Sequence, residues 1–513
     1  MRMATSIFVL LATYLGLIYP FVISVPCKMI HHAQDDILKF FEVTDGNDVT
    51  WLHAVNSPEL LEQGLSGKTM MLEADVLMRN NMVDGTPVMA HPPAVDSNLT
   101  LQTFLEKTTT SLSKGIKLDF KTIQVVEPAL KMIKNVTSGQ QVTNPIWLNS
   151  DILPGPCYDE VCVPVDHERF LSLCKSYYPN ATLSISWTTG NNMTASKNYY
   201  NWSQVLPMGK LVSQIAQPIT FPFRANLVQR SWDQLQWLLD LSEEFTVTIW
   251  SSTTDKLDPL DLVALRNNVS FKRIYYDLPP DQENAFEDAL KSNSDIVKKK
   301  EAFEWKASAA KDCQDVLVGH NSVMFSGQGG TVVSEKTLYK VSNGAFSEFT
   351  GNVSFIKLDG ARESGSVTIK LHVKDETGEA VLSGQVVSLL LHSDGNFQLS
   401  IAENDMKEGS VKSGKGEFNF KISEDSTDTE MRTVKCEITA RENHESKATV
   451  SLDVKSEPAG GYALITTGVL SDAILVRDVH FAVALPGLAG CSSLRCYFGI
   501  ISLVLMALFH SFV

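Results

Sequence analysis

The segment LEADV at residues 72–76 and the segment IKLDFK at residues 116–121 each set charged residues two apart among apolar ones: Glu73 with Asp75, and Asp119 with Lys121. In an extended strand, residues i and i+2 share a face, so each pair points together while Leu72, Ala74 and Val76, or Leu118 and Phe120, point the other way. Three carboxylates converging on one place repel unless a cation joins them. A hard divalent ion with oxygen ligands, Mg²⁺ or Ca²⁺, meets that need, with Glu73, Asp75 and Asp119 as ligands. Lys121 beside such an ion suits a phosphate oxygen. Two histidines lie on loops near the same segments, His53 in WLHAVNSPELL and His91 in VDGTPVMAHPP. Imidazoles act as general acid and base near neutral pH, and a metal-held phosphodiester gives both a task. One would activate the attacking hydroxyl and the other would protonate the departing oxygen. Singly, a charged pair is more often a solvated edge and a lone His more often a surface or core residue; it is their order along the chain that joins them.

These residues need a scaffold that brings strand ends together. From about residue 31 to 285, strand-like runs (TMMLEADVLM, GIKLDFK, PIWLNSDIL, ATLSISWTT, PITFPF, FTVTIWSS, FKRIYYDLP) alternate with stretches of helical spacing such as LTLQTFLEKTTTSLS, VVEPALKMIKNV, DHERFLSLCKSYY, WDQLQWLLDLSEEF and DPLDLVALRNN. Strand and helix in turn imply parallel pairing with right-handed crossovers, and this length suits a closed (β/α)8 TIM-like barrel. In such a barrel the carboxyl ends of the strands open on one mouth. A charged, helix-like connector over 286–312 follows. The texture then changes to period-two alternation, as in SVTIKLHVK, GEFNFKIS and TVKCEITAR, predicting a β-sandwich-like domain over 313–456 without a chemical cluster of titratable residues.

The chain of 513 residues is long enough for two or three domains, and a composition 44% hydrophobic and 20% charged is that of a globular protein. A net charge of −15 with no basic stripe excludes a nucleic-acid partner. The first 25 residues carry one Arg, an apolar run and small residues, the pattern of a secretory signal. Seven Asn-x-Ser/Thr sequons, at Asn98, Asn135, Asn180, Asn192, Asn201, Asn268 and Asn352, agree with a secreted or cell-surface address. Six cysteines (Cys27, Cys157, Cys162, Cys174, Cys313, Cys436) precede the tail, an even count that favours disulfides over metal, with CYDEVC a local loop closure. Residues 457–513 read as a stalk ending in an apolar run, either a lipid-anchor signal or a single span, so the tail gives the chain its membrane contact.

With these segments in view, the chain resembles phospholipase C-like phosphodiesterase barrels, the group containing glycerophosphodiester phosphodiesterases and sphingomyelinase D. The carriers are a His near the first strand, LEADV, DGTPVMAH followed by LTLQTFLE, KLDFKT, and the closing VTIWSS and IYYDLP. The resemblance implies Glu73, Asp75 and Asp119 as metal ligands, His53 and His91 as the acid-base pair, and Lys121 on phosphate. FFEVTDGNDVTWLHAVNSPELLEQGL, MMLEADVLM, TPVMAHPP and KLDFK together resemble the menorin family, over about residues 35 to 285. That resemblance implies a developmental cue outside the cell, patterning sensory dendrites with an L1-type adhesion molecule and a leucine-rich-repeat receptor. The expected function is therefore a menorin-like cue. The alternatives are a metal-dependent phosphodiesterase acting on a lipid or glycerol phosphodiester, and a noncatalytic binder that keeps the metal for stability. Ala54 and Val55 replace the Arg and Gly that follow the first His in glycerophosphodiester phosphodiesterases, and Pro92 replaces an acid after the second, which leaves the substrate open. Trp250 and Trp187 are candidate walls of the mouth, although an aromatic in an apolar strand is usually core, and His31, His32 and His167 are read as exposed or structural.

Overall fold

The computed structural model describes residues 37–292 and 303–484 apart from shorter interior stretches. The signal, the C-terminal apolar run, His31, His32, Cys27, Cys313 and Asn192 lie outside the described residues.

The first region is α/β. Its strands are β1 (Trp51–Leu52), β2 (Met71–Met78), β3 (Pro87–Met89), β4 (Gly115–Phe120), β5 (Ile146–Leu153), β6 (Thr182–Trp187), β7 (Ile219–Arg224), β8 (Thr246–Trp250) and β9 (Ile274–Asp277). They run in the order β1-β2-β4-β5-β6-β7-β8-β9, all parallel, with β3 added antiparallel to β2. Because β9 packs against β1, the sheet forms a nearly closed barrel of eight parallel strands. Every residue of β2 is buried, as expected of a strand covered on both faces. Leu72, Ala74 and Val76 join the outer core under the helices, while Met71 packs inside with Trp147 and Tyr275. Trp147 sits 5.4 Å from both the Trp51 and Tyr275 rings, centroid to centroid, and this aromatic layer plugs the barrel floor. Gly115 lets β4 approach this layer closely: a Cβ there would stand 2.2 Å from the Met71 sulfur and would force that side chain to move.

The helices form where capping and apolar spacing agree. Ser57 caps Pro58–Ser66 and Thr100 caps Leu101–Thr108, each accepting from a backbone N–H three residues on. Along Ile123–Thr137 the buried residues are Val125, Val126, Ala129, Leu130 and Ile133, one stripe facing the strands. Asn201 and Gln204 cap Trp202–Val212 reciprocally.

The second region is antiparallel throughout. One seven-stranded sheet runs β10 (Trp305–Ala310), β13 (Gly330–Ser334), β22 (Tyr462–Thr467), β15 (Ser366–Val373), β16 (Val387–His392), β17 (Asn396–Ile401), β18 (Met406–Ser410). The other runs β11 (Val316–Val318), β12 (Ser322–Phe325), β23 (Ala473–Ala484), β14 (Phe346–Ile356), β19 (Glu417–Asp425), β20 (Arg432–Ala440), β21 (Lys447–Val454). Alternate residues from both sheets, among them Ile369, Leu389, Leu399, Phe420 and Ile438, enter one core. Strands therefore continue into stretches read from sequence as connector and stalk. With three Ala and one Lys in six residues, β10 has helical composition, but pairing with β13 decides its state. β22 and β23 hide from a period-two search because each carries consecutive buried residues.

The cysteines need correcting. Cys157 and Cys162 are bonded, as the CYDEVC loop suggests, but Cys174 and Cys436 are buried free thiols. One faces inward from helix His167–Tyr177 and the other from β20, in separate cores. Burial pushes the Cys174 thiol up to about 12 and that of Cys436 upward as well, which leaves both inert.

The two regions meet along helix Trp232–Asp240. The Asp240 carboxylate accepts from Asn321 N (3.0 Å) and Ser322 Oγ (2.5 Å) in the β11–β12 hairpin, and Arg477 Nη2 donates to Asp233 (2.9 Å). Leu317, Met324, Ile356, Ala473 and Leu475 extend the barrel's hydrophobic core into the β-region.

Candidate functional site

Strand register assembles the site. Glu73 lies beside Lys117 and Asp75 beside Asp119 across β2 and β4, and Asp119 lies beside Asn149 across β4 and β5. In a parallel sheet, paired residues point the same way, so Asp75 and Asp119 enter the barrel at one level, with Glu73 and Lys117 one step closer to the aromatic plug. One carboxylate oxygen from each of Glu73, Asp75 and Asp119 lies within 4.8 Å of the others. Glu73 and Asp75 are buried and Asp119 nearly so. Lys121, just past β4, puts its amine 2.7 Å from Asp75 Oδ1 and 2.5 Å from Asp119 Oδ2. The amine thus sits as a cation between two of the three acids, and the all-oxygen donor set fits Mg²⁺ or Ca²⁺.

The flanking groups fix these carboxylates. Ala54 N donates to Glu73 Oε2 (2.8 Å), and Asn56 grips Asp75 twice, giving its amide to Oδ2 (2.7 Å) and accepting the Asp75 N–H (3.0 Å). Burial alone would raise the Asp75 carboxyl, but the Lys121 charge and the hydrogen bonds hold it down at about 2. Burial pushes Glu73 up to about 7, with His53 opposing. Lys121 stays well above its ordinary value, since Asp119, Asp75 and Glu73 together outweigh its burial.

His53 follows β1 and points back into the mouth. Its Nδ1 lies 2.9 Å from Asp277 Oδ2 and 3.5 Å from Glu73 Oε2, so that nitrogen carries a proton. The Glu73 charge, then Asp277, lifts the imidazole to about 10 against its burial, although half of the side chain meets solvent, which screens the coupling. His91 lies on the exposed loop after β3, close enough to Asp75 to act on its charge. Its Nδ1 faces the Pro92 carbonyl at 2.6 Å, which leaves Nε2 as the nitrogen able to accept.

All six residues expected from the sequence therefore gather at this mouth. Four others belong with them. Lys117, 4.0 Å from Asp277 and 5.8 Å from the Trp51 ring centroid, shares a strand face with Asp119 two residues on, a signal present in IKLDFK itself. Asp277 ends β9. Burial would raise its carboxyl, yet His53 and Lys117 keep it low. Asn56 is an ordinary loop residue by sequence. Asp151 accepts from Ser186 Oγ (2.5 Å), and burial followed by the Asp119 charge pushes it up to about 6. Of the tryptophans, Trp187 is core, donating to Gln204 O and stacked with Tyr200 and Phe223. Trp250 is half-buried at the mouth beneath Arg224, which holds Asp255 in a two-pronged bridge.

The β-region holds a buried ionic cluster. His372 Nε2 lies 2.7 Å from Glu424, whose other oxygen is 3.1 Å from Arg432 Nη1, all three buried. All three side chains are closed off from solvent. A cleft of about 280 Å³ lies between the two regions, walled by Asp240, Glu243, Trp305, His320 and Glu335, away from the mouth.

The Menorin N-terminal domain model matches residues 45–283. The human protein FAM151B is 37% identical over 264 residues, spanning 50% of this chain and 94% of that protein. The chain belongs to the menorin family. Residues 45–283 contain all the barrel strands and every residue of the mouth described above. Among solved structures, a peanut lectin with a 9-residue peptide is 12% identical (TM-score 0.27; 37% of this chain, 95% of that one). An endo-1,3-β-glucanase from Streptomyces sioyaensis is 8% identical (TM-score 0.27; 35% and 82%). At these TM-scores neither carries an argument about this menorin-family chain.

Proposed function

We propose that the barrel mouth is a divalent-cation site for phosphodiester chemistry, and that the chain works outside the cell. The observation that carries the reading is the convergence of Glu73, Asp75 and Asp119, two of them holding the Lys121 amine, with His53 and His91 at the rim. Mg²⁺ or Ca²⁺ on the three carboxylates would polarise a phosphoryl oxygen. Lys121, freed from its acids, would then pair with a phosphate oxygen. His53, oriented through Nδ1 by Asp277, enters protonated and is the donor to the departing oxygen. His91, with Nε2 unengaged by its Pro92 contact, takes the proton of the attacking hydroxyl.

Family membership supports a second reading, a cue for sensory dendrite patterning acting with an L1-type adhesion molecule and a leucine-rich-repeat receptor. In that case the barrel and a β-sandwich fixed against it form the presented surface. A His53→Ala, His91→Ala double variant separates the two. Turnover of a glycerophosphodiester and lysophospholipid panel is followed by ³¹P NMR, and receptor-complex formation by pull-down. Loss of turnover with complexes intact supports the chemistry; full biological activity without turnover leaves the cue reading standing alone.

A further inference from the structure

Eight large apolar side chains are exposed among the described residues; four of them sit on loops that leave the carboxyl ends of barrel strands, and a fifth, Leu260, lies in the first turn of the helix Pro259–Asn268 that follows such a strand. Met82 and Val83 follow β2, Val163 follows β5, Tyr199 follows β6, and Leu260 follows β8. All such loops lie at the mouth end of a parallel barrel, so these side chains ring the opening. The opposite end exposes Phe271. Val83 is 77% exposed and Val163 75%, far more than partial core residues would be.

The first tip is built rather than frayed. Asn80 and Asn81 adopt left-handed backbone (φ 54° and 55°), Asn80 N donates to Val95 O, and Gly85 N closes the turn onto Met82 O. This turn throws Met82 and Val83 outward. Tyr199 carries the Arg230 guanidinium 5.4 Å from its ring centroid, an aromatic and a cation together at the same rim. That pairing suits the headgroup level of a bilayer.

We infer that the mouth face docks on a zwitterionic lipid surface, with Met82, Val83, Val163, Tyr199 and Leu260 entering the headgroup layer and the carboxylate site turned toward lipid phosphodiesters. Separate tips around an opening match a deformable bilayer better than a flat protein partner, which needs a continuous apolar patch. The apolar run at the end of residues 485–513, outside the described residues, is expected to keep the chain at a membrane, and a second weak contact then suffices to orient it. A net charge of −15 disfavours strongly anionic lipid, which selects phosphatidylcholine as the probe. The substrate class rests on the phosphodiester reading above; the docking does not.

The test uses the full chain on phosphatidylcholine vesicles containing nitroxide lipid, with an environment-sensitive dye on Val83→Cys, Val163→Cys or, as the far-end control, Phe271→Cys, each corrected against the equally labelled parent. Quenching at least threefold stronger at the two rim positions than at Phe271 is expected. Met82→Asp with Val83→Asp should cut quenching at Val163 at least threefold. Equal quenching at all three positions, or quenching confined to Phe271, overturns the inference. So does a rim that stays in water on vesicles and is shielded only by an added protein. None of these readouts needs turnover, so an inactive site leaves the docking result intact.

Discussion

The Nδ1 of His53 lies 2.9 Å from Oδ2 of Asp277, joining the ends of the first and last barrel strands across 224 residues of chain. The contact closes the barrel seam and sets the proton of the candidate general acid. Asp277→Asn keeps the shape and removes the charge, so the His53 pKa should fall by about one unit or more, read from ¹³C-histidine NMR. The raised folded-state value contributes stability that is full below about 6.5 and lost as pH rises through about 10. Denaturation at pH 7 and pH 10 should therefore show the variant losing its disadvantage at the higher pH.

Cation binding should be visible without any substrate. Mg²⁺ or Ca²⁺ that selects the folded carboxylate cluster raises stability by about 2.7 kcal/mol at a hundredfold excess over Kd. Asp75→Asn with Asp119→Asn should abolish the rise in Tm. Lys121→Met should lower stability without metal, since Asp75 and Asp119 lose their cation, and gain more on loading than the parent. A Tm insensitive to both ions in the parent would exclude the site.

Much of this site was legible because strand periodicity is a local property. Glu73 with Asp75 and Asp119 with Lys121 show their shared faces within five residues of sequence. Lys117 shares that face within the same segment. Asp277, Asp151 and Asn56 were not legible, because their importance depends on which strands become neighbours. Ring closure and register decide that, and no single segment encodes them. The β-region shows the same limit: β15 and β19 largely alternate, whereas β22 and β23 bury consecutive residues and lose the polar half of the pattern. Cys174 and Cys436 looked pairable by count, yet their separation into two cores is a tertiary fact.

Asp151 should make the barrel more stable in mild acid. Its folded-state carboxyl titrates at about 6 against an ordinary 3.8, so the folded protein holds that proton more tightly. This contribution is present below about 3.8 and is lost as pH rises through about 6. Asp151→Asn retains an acceptor for Ser186 and removes the buried charge. In chelator-treated protein it should gain roughly 1–3 kcal/mol at pH 7 and little at pH 4, by urea titration.

The sequons are not equivalent. Asn135, Asn180 and Asn268 are exposed, whereas Asn352 lies within β14 with its amide donated to Asp478 Oδ2 at 2.8 Å. A glycan there would occupy the sheet and disturb that contact. Peptide mass mapping of chain made through a secretory host should find glycan on the first three and Asn352 bare. Full occupancy of Asn352 in folded protein would contradict the placement of β14.

Asp240 offers the most direct test of how the two regions hold together. It ends a barrel helix, yet its carboxylate is spent on the β-region, accepting from Asn321 N and Ser322 Oγ, and burial raises its pKa while these bonds restrain it. Asp240→Ala leaves a backbone N–H and a hydroxyl unpaired at the interface, at about 1–3 kcal/mol each. Asp240→Asn keeps one acceptor and should lose less. If Asp240 couples the regions, calorimetry should show a single transition in the parent and two resolved ones in the Ala variant, the earlier reporting the β-region. Two transitions in the parent, or an Ala variant indistinguishable from it, would mean that the shared apolar contacts of Leu317, Met324 and Leu475 set the coupling instead.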